Sequence, residues 1–305
     1  MRLLHQFVFY VLILPLSVLP FRVLYVLSDG LYIVLYYFLG YRKDVVLLNM
    51  RNSFPEKPEE EINGLSRLFY RHFCDLILES LKLFTLSQEA ANERMIFKNP
   101  EVINKYVRAN RCVMLAGGHL SNWELFAVVV AGLIEHKAVA IYKPLTSQYF
   151  DQRMRESRGK FGLQLVSTKK VTEFFQTVPV RPTATIFGID QSPPNPERCY
   201  WTTFLNQDTG VLFGCEKYAK EYNHAVVYGR INKEKRGYYS FEFVDITDQP
   251  RQAGHGEIME SITSMLEKDI LRAPQYWLWT HKRWKHKRPK AVQQGEVSDE
   301  TSLPK

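Results

Sequence analysis

The segment from Val113 to Glu124 reads VMLAGGHLSNWE, and it is the most informative stretch of this chain for the fold class. It opens with an unbroken apolar run, which is typical of a strand buried on both faces. Two glycines follow, then His119 and the start of an apolar helical pattern. A buried strand that turns through glycines into a helix is typical of a parallel α/β sheet. His119 therefore lies at the carboxyl end of a strand, where the sites of such folds form.

The same alternation of strand and helix patterns continues on the C-terminal side of this segment. Short apolar runs predict buried strands, and a more alternating run predicts one nearer an edge: Cys112–Ala116, Ala138–Tyr142, Leu163–Ser167, Thr183–Gly188, Ala225–Ile231 and Tyr238–Val244. Helical patterns lie between them: Asn122–Ile134, Gln148–Phe161, Lys170–Thr177, Val211–Tyr222 and Glu257–Leu271. We expect an α/β fold whose largely parallel sheet is flanked by helices, preceded by an N-terminal apolar, membrane-associating helical segment.

His119 and Glu124 are the residues in this segment that suit proton transfer. On one continuous helix, a spacing of five would place the two side chains about 140° apart. Glu124 can therefore reach His119 only if the histidine lies in the loop before the helix. In that arrangement Glu124 would fix the imidazole tautomer and leave the other ring nitrogen as a general base. The alternative is a helix-capping histidine with Glu124 on a solvated face.

Composition and charge exclude several classes of protein. The 305 residues are 46% hydrophobic, so the chain as a whole is not disordered. Forty Lys and Arg against 32 Asp and Glu give a net charge of +8, which favours an acidic partner. The four cysteines have no CxxC spacing, which argues against a disulfide framework or zinc site and fits a reducing compartment.

The N-terminal residues are predicted to associate with a membrane surface. Two uncharged runs, Phe7–Phe21 and Gly30–Tyr41, are each shorter than the ~20 residues of a spanning helix, and Pro15 interrupts the first. The segment is rich in Tyr and Phe, which favours the bilayer interface. A buried helical hairpin is the alternative. We expect a helical anchor over 1–41, a helical region over 42–96, an α/β domain over 97–290 and a disordered tail over 291–305.

Residues 117–124 resemble the His-x4-Asp/Glu signature of the late acyltransferases of bacterial lipid A biosynthesis, the lauroyl and myristoyl transferases. The resemblance covers most of the chain. It continues in several segments: Leu19–Tyr25, Asn49–Glu56, Tyr142-Lys143-Pro144-Leu145, Arg158-Gly159 with Gly162, Asp190-Gln191, Phe204–Gly210, Gly214–Ala219 and Pro274–Trp284. The stretch Thr202–Asp208 departs from the family by being less small and apolar.

The resemblance implies an acyl transfer reaction. His119 would take a proton from an acceptor hydroxyl that attacks an acyl thioester on an acyl carrier protein, and Glu124 would orient the imidazole. Arg158 or backbone amides near Gly117 and Gly118 are candidate oxyanion donors. The remaining candidates for substrate contact or support, each with an ordinary structural role as the alternative, are Lys143, Asp190, Gln191 and Asn122. No metal or organic cofactor is called for.

The implied partners are the acyl carrier protein, a lipid A precursor or related glycolipid, and anionic membrane lipid. Six Lys and Arg lie in His281–Lys290 and suit anionic headgroups, an acidic carrier protein or a phosphorylated acceptor. We expect the bacterial inner membrane, with the catalytic domain on the cytoplasmic side, and no nucleic acid partner. Two alternatives stay open: the same chemistry on a lysophospholipid, aminolipid or pigment, and a catalytically silent membrane-surface protein.

Overall fold

A seven-stranded sheet forms the centre of the protein. The computed structural model describes residues 2–289, and its strand order is β1-β9-β8-β2-β5-β3-β4. The strands of this sheet are β1 (Met95–Phe97), β2 (Val113–Gly117), β3 (Lys137–Tyr142), β4 (Gln164–Ser167), β5 (Thr183–Gly188), β8 (Ala225–Lys235) and β9 (Tyr238–Thr247). Strands β2, β3, β4, β5 and β8 are parallel, whereas β9 is antiparallel to β8 and parallel to β1. The predicted α/β class is confirmed.

Helices cover both faces of this sheet. The helices are α1 (Arg2–Phe7), α2 (Leu14–Val18), α3 (Phe21–Ile33), α4 (Lys43–Ser53), α5 (Glu59–Lys82), α6 (Gln88–Asn92), α7 (Glu101–Arg108), α8 (Trp123–Leu133), α9 (Gln148–Gly159), α10 (Val171–Gln176), α11 (Gly214–Tyr222) and α12 (Glu257–Arg272). Alternate residues of β2 enter two cores: Met114 packs in a core shared with α5, α11 and α12, and Leu115 in one shared with α7 and α8. Single 3₁₀ turns lie at Thr168–Lys170, Pro196–Arg198, Pro250–Gln252 and Pro274–Tyr276.

The region between Cys199 and Gly214 differs from the prediction. The helix expected from Val211 begins at Gly214, because Val211 ends a hairpin strand. This antiparallel hairpin consists of β6 (Tyr200–Phe204) and β7 (Gln207–Val211). Its turn holds Leu205 and Asn206 at φ values of 51° and 61°. Asn206 suits this left-handed region but leucine is rare there, so the pair Leu205-Asn206 is a weak turn signal for the hairpin.

The N-terminal helices expose an unusual amount of apolar surface. The described helix from Arg2 to Val18 continues past Pro15, because a π-helical stretch at Val8–Ile13 adjusts its hydrogen bonding; a second π-helical stretch follows α3 at Val34–Phe38. Among residues 2–289, one helix, Phe21–Phe38, is long and apolar enough to cross a membrane. We call the exposed large apolar side chains here the N-terminal apolar face: Leu3, Leu4, Phe7, Tyr10, Val11, Leu12, Val18, Val23, Val26, Leu27, Ile33, Val34, Tyr37, Phe38, Leu39 and Tyr41.

The opposite side of α3 packs on α5 and is fastened by charged groups. Leu24, Ser28 and Tyr32 recur every four residues and are buried. Ser28 donates to Asp75, and Arg236 from the turn after β8 bridges Asp29 and Asp75. The N-terminal helices are thus fixed to the sheet through α5. The division into an anchor, a helical region and an α/β domain stays a prediction, and the predicted tail over 291–305 lies outside the described residues.

Candidate active site

Two glycines in register bring the site together. Gly117 ends β2 and Gly188 ends the adjacent parallel strand β5, and the two are paired across the sheet. Each chain then runs two residues further, to His119 on one side and Asp190 on the other, and the Ile189 amide donates to the Gly117 carbonyl (3.0 Å). A Cβ on Gly188 would lie 3.1 Å from Cε1 of His119. The imidazole therefore packs directly over a position where any side-chain Cβ would crowd it.

His119 is held by the Asp190 carboxylate through two contacts. Its Nδ1 lies 2.6 Å from Oδ1, and its backbone N–H donates to Oδ2 (2.7 Å). Asp190 is buried, so it contributes a fixed negative charge beside Nδ1. Its position fixes the tautomer with a proton on Nδ1, which leaves the lone pair on Nε2. The exposed Gln191 places its amide nitrogen 3.3 Å from that Nε2.

The interactions within and around this pair raise the pKa of His119 and lower the pKa of Asp190. Burial by itself lowers the pKa of His119, but the Asp190 charge, the hydrogen bond to it and the nearby Glu124 outweigh burial and raise it above its ordinary value. Burial would raise the pKa of Asp190, but the imidazole, the His119 amide and the Trp277 indole hold it well below its usual range. Asp190 is therefore ionised whenever His119 can act as a base.

The expected hydrogen bond between Glu124 and His119 is replaced by an ion pair between Glu124 and Arg158. Both Arg158 Nε (2.9 Å) and Nη2 (2.6 Å) donate to the Glu124 carboxylate. Glu124 lies in the first turn of α8 and Arg158 in the last turn of α9. The guanidinium of α9 therefore binds the carboxylate of α8 through two hydrogen bonds. Glu124 still acts on His119 through its charge, which raises the histidine pKa.

Asn122 and Gly118 occupy structural positions at this loop. The Asn122 side chain accepts from the Leu125 amide (2.8 Å), which caps α8, and donates to the buried Glu79 (2.6 Å). With both ends of its amide engaged and the residue buried, Asn122 is better suited to supporting the loop than to contacting a substrate. A Cβ on Gly118 would lie 2.6 Å from the Leu266 side chain, so Gly118 permits α12 to pack against the loop.

A comparison with known protein families decides the identity. The family model described as bacterial lipid A biosynthesis acyltransferase matches residues 2–286. The chain belongs to the bacterial lipid A biosynthesis acyltransferase family. The match covers more than nine-tenths of the chain, so the suspected family is confirmed and the protein is an acyltransferase. No functionally curated protein matched the sequence.

The remaining predicted site residues of this acyltransferase lie at the same edge of the sheet. Lys143 follows the carboxyl end of β3, the strand next to β5, and its side chain is exposed. Gln191 follows Asp190 and faces the imidazole. Arg158 reaches this edge from α9. Residues from four separate segments thus meet at one edge of the sheet. Glu124 was predicted from the sequence as the hydrogen-bond partner of His119, whereas the strand order places Asp190 in that contact.

The basic C-terminal segment is more buried than a headgroup anchor would be. Arg283 is buried and donates to the Gly210 carbonyl (2.7 Å), and Arg288 pairs with Asp208 (2.6 Å). Lys282, Lys285 and Lys287 remain exposed.

Trp277 is a residue of the site that was not predicted from the sequence. Its indole N–H donates to Asp190 Oδ2 (2.8 Å). Its place in the closing aromatic-basic motif was the available signal.

Proposed function

We propose that this acyltransferase moves a fatty acyl chain from an acyl carrier protein thioester to a hydroxyl of a lipid A precursor, with His119 as the general base. The observation that carries the proposal is the contact of His119 Nδ1 with Asp190 at the carboxyl edge of the sheet. It leaves Nε2 as the proton acceptor next to the exposed Gln191. Family membership supplies the acyl transfer chemistry.

The proposed reaction passes one proton through Nε2. The acceptor hydroxyl loses its proton to Nε2 while its oxygen bonds to the thioester carbonyl carbon. Asp190 stabilises the resulting imidazolium through Nδ1, as a positioning residue rather than a proton acceptor. The tetrahedral intermediate then collapses, the carbon–sulfur bond breaks, and the carrier thiolate takes the proton from Nε2. The products are an ester and a free carrier thiol.

Glu124 and Arg158 supply a second, electrostatic element of the proposal. Arg158 directs Nε and Nη2 to Glu124, and we assign Nη1, which Glu124 does not engage, to an acceptor phosphate or to the oxyanion. The carboxylate holds the guanidinium in one orientation and adds negative charge near the imidazole. Lys143, exposed at the same edge, is a further phosphate contact in this proposal.

The proposal places the enzyme at the cytoplasmic surface of the bacterial inner membrane. The N-terminal apolar face is far larger than the scattered apolar residues of ordinary surfaces, and its Tyr and Phe side chains suit the bilayer interface. Exposed Lys282, Lys285 and Lys287 suit anionic lipid headgroups. A lipid acceptor held in the membrane would then reach the site without leaving the bilayer.

The test is direct transfer with purified protein. Acyl carrier protein thioester and a lipid A precursor in phospholipid vesicles are incubated with wild type, His119→Ala and the control His255→Ala, which removes an exposed histidine whose ring lies 4.8 Å from that of Phe213. Mass spectrometry measures the acylated product. We expect His119→Ala to lose about 10²–10⁴ in rate while His255→Ala stays near wild type. If His119→Ala retains most of the activity, the mechanism is wrong. If the acyl chain is transferred to a lysophospholipid instead of the precursor, the acceptor assignment is wrong.

A further inference from the structure

Trp277 contacts both Asp190 and the loop that carries His119. Its indole N–H donates to Oδ2 of Asp190 (2.8 Å), the oxygen that also accepts the His119 backbone amide. Both Trp277 and Asp190 are buried, at 2% and 4% exposure. The carboxylate therefore has donors on both oxygens, with Oδ1 at the imidazole and Oδ2 between the loop and the indole.

The backbone around Trp277 holds the loop that carries His119. Leu120 and Trp277 form an isolated antiparallel bridge, and the Ser121 amide donates to the Tyr276 carbonyl (2.8 Å). Ser121 has a φ of 55°, a left-handed conformation that costs a non-glycine residue free energy and needs support from its surroundings. The segment around Trp277 supplies this support on the C-terminal side of His119.

We propose that Trp277 is a positioning residue for acyl transfer, which fixes the Asp190 carboxylate and the His119 loop in the geometry that leaves Nε2 as the base. The inference rests on the proposed function of His119. It assigns a purpose to the indole nitrogen itself, beyond the ring packing of Trp277 against Phe204, Trp279 and Trp284. Without this N–H, Oδ2 loses a donor in a buried place, and the carboxylate beside Nδ1 is held less firmly.

Several charged or titratable groups act on this pair. The pKa of His119 is shifted by the charges of Asp190, Glu124 and Arg158. Asp190 in turn acts on the pKa values of Tyr228, His281 and Arg283, and His119 acts on that of His281. Trp277 differs from them because its N–H is neutral at every accessible pH. Its removal concentrates negative charge on Asp190, which favours the imidazolium. The acid limb of kcat/KM is then expected to move to higher pH, while the charges of the other groups stay as they were.

Trp279 provides a matched control in the same motif. It is as deeply buried as Trp277, but its indole N–H donates to the Pro274 carbonyl (2.6 Å) rather than to Asp190. Trp277→Phe and Trp279→Phe each remove one indole N–H and part of one ring from the same aromatic cluster. A loss that comes from packing alone should therefore be similar in the two variants.

The experiment compares both variants by pH-dependent kinetics and by NMR titration of labelled histidine, with His119→Ala to assign the His119 signal. We expect Trp277→Phe to lower kcat about tenfold with little change in KM and to raise the His119 pKa, and Trp279→Phe to leave both values near wild type. Incorporation of 3-benzothienylalanine at position 277, which keeps the ring size without the N–H, repeats the test if Trp277→Phe folds poorly. Equal effects at 277 and 279, or an unmoved His119 pKa, overturn the inference. If His119→Ala stays active, the proposed function fails instead, and the NMR titration still decides whether the indole acts on the pair.

Discussion

His119 and Asp190 each lie two residues beyond a glycine, and those glycines, Gly117 and Gly188, are partners in adjacent parallel strands. The 2.6 Å contact between Nδ1 and Oδ1 follows from this register, although 71 residues separate the two side chains along the chain. A site built on strand ends is rigid, because the sheet hydrogen bonds fix both loops where they begin.

Gly188→Ala should impair catalysis more than folding. The new Cβ would lie 3.1 Å from His119 Cε1, so the imidazole must move by a few tenths of an ångström away from its position over the strand. A displacement of this size in a base is expected to lower kcat about tenfold. Gly30→Ala, where a Cβ meets no atom within 4 Å, is the control for kcat and melting temperature. Equal kcat values for the two alanine variants would contradict the packing argument.

The pH dependence of kcat/KM should show an acid limb above the ordinary histidine pKa. Only the neutral imidazole accepts a proton, and the pKa of His119 is raised by Asp190 and Glu124 against the effect of burial. Activity is therefore lost as pH falls through this raised pKa. Glu124→Gln removes one raising charge and should move the limb to lower pH. Initial rates between pH 5 and 9 measure the shift, and a limb that stays in place or moves upward would contradict it.

The stability contribution of the pair has its own pH window. Asp190, with its lowered pKa, stabilises the fold above its unfolded pKa, and this contribution is lost as pH falls through the folded value. His119, with its raised pKa, stabilises the fold below its unfolded pKa of about 6.5, and this contribution is lost as pH rises through the folded value. Melting temperatures of wild type and Asp190→Asn should therefore differ most at pH values between the unfolded pKa of Asp190 and the unfolded pKa of His119. A difference that grows at alkaline pH would contradict this sign.

The strands of the sheet were predicted from the sequence more accurately than their order in the sheet or the hairpin that follows β5. Strand Thr183–Gly188 has the predicted bounds, because its apolar run and its flanking glycine are local signals. The hairpin β6–β7 was missed because Leu205 takes a left-handed conformation that its residue type disfavours. Asp190 was placed correctly at a strand end but not beside His119. Strand order is a long-range property, and neither spacing nor periodicity encodes that β2 and β5 are adjacent.

Glu124 and Arg158 should behave as a unit. Removing the carboxylate leaves a guanidinium that is only 26% exposed without its partner, so Glu124→Gln is expected to destabilise the fold by about 1–2 kcal/mol. Arg158→Gln should cost a similar amount, and the double variant less than the sum of the two. Chemical denaturation of all four proteins gives the coupling energy. Strict additivity would show that the ion pair contributes nothing to stability.

Arg236 should hold the N-terminal helices on the rest of the protein. Its guanidinium bridges Asp29 of α3 and the buried Asp75 of α5, although it is itself 38% exposed, so the expected loss in Arg236→Gln is about 1–2 kcal/mol after solvent screening. Cleavage within residues 2–41 by a protease should become faster. Arg108→Gln, whose pair with Glu135 is fully at the surface, is the control and should change neither measurement. Equal cleavage rates for both variants would contradict the role of Arg236.

The most direct measurement compares Asp190→Asn with Glu124→Gln in acyl transfer from the carrier protein thioester to the lipid A precursor. Asp190 alone contacts Nδ1 of His119 within the described residues, whereas Glu124 is held by Arg158. We expect Asp190→Asn to lower kcat by about 10²–10⁴, because the wrong tautomer of His119 is then favoured, and Glu124→Gln to lower it by a smaller factor. Near-wild-type turnover in Asp190→Asn together with loss of turnover in Glu124→Gln would contradict it and restore Glu124 as the partner of His119.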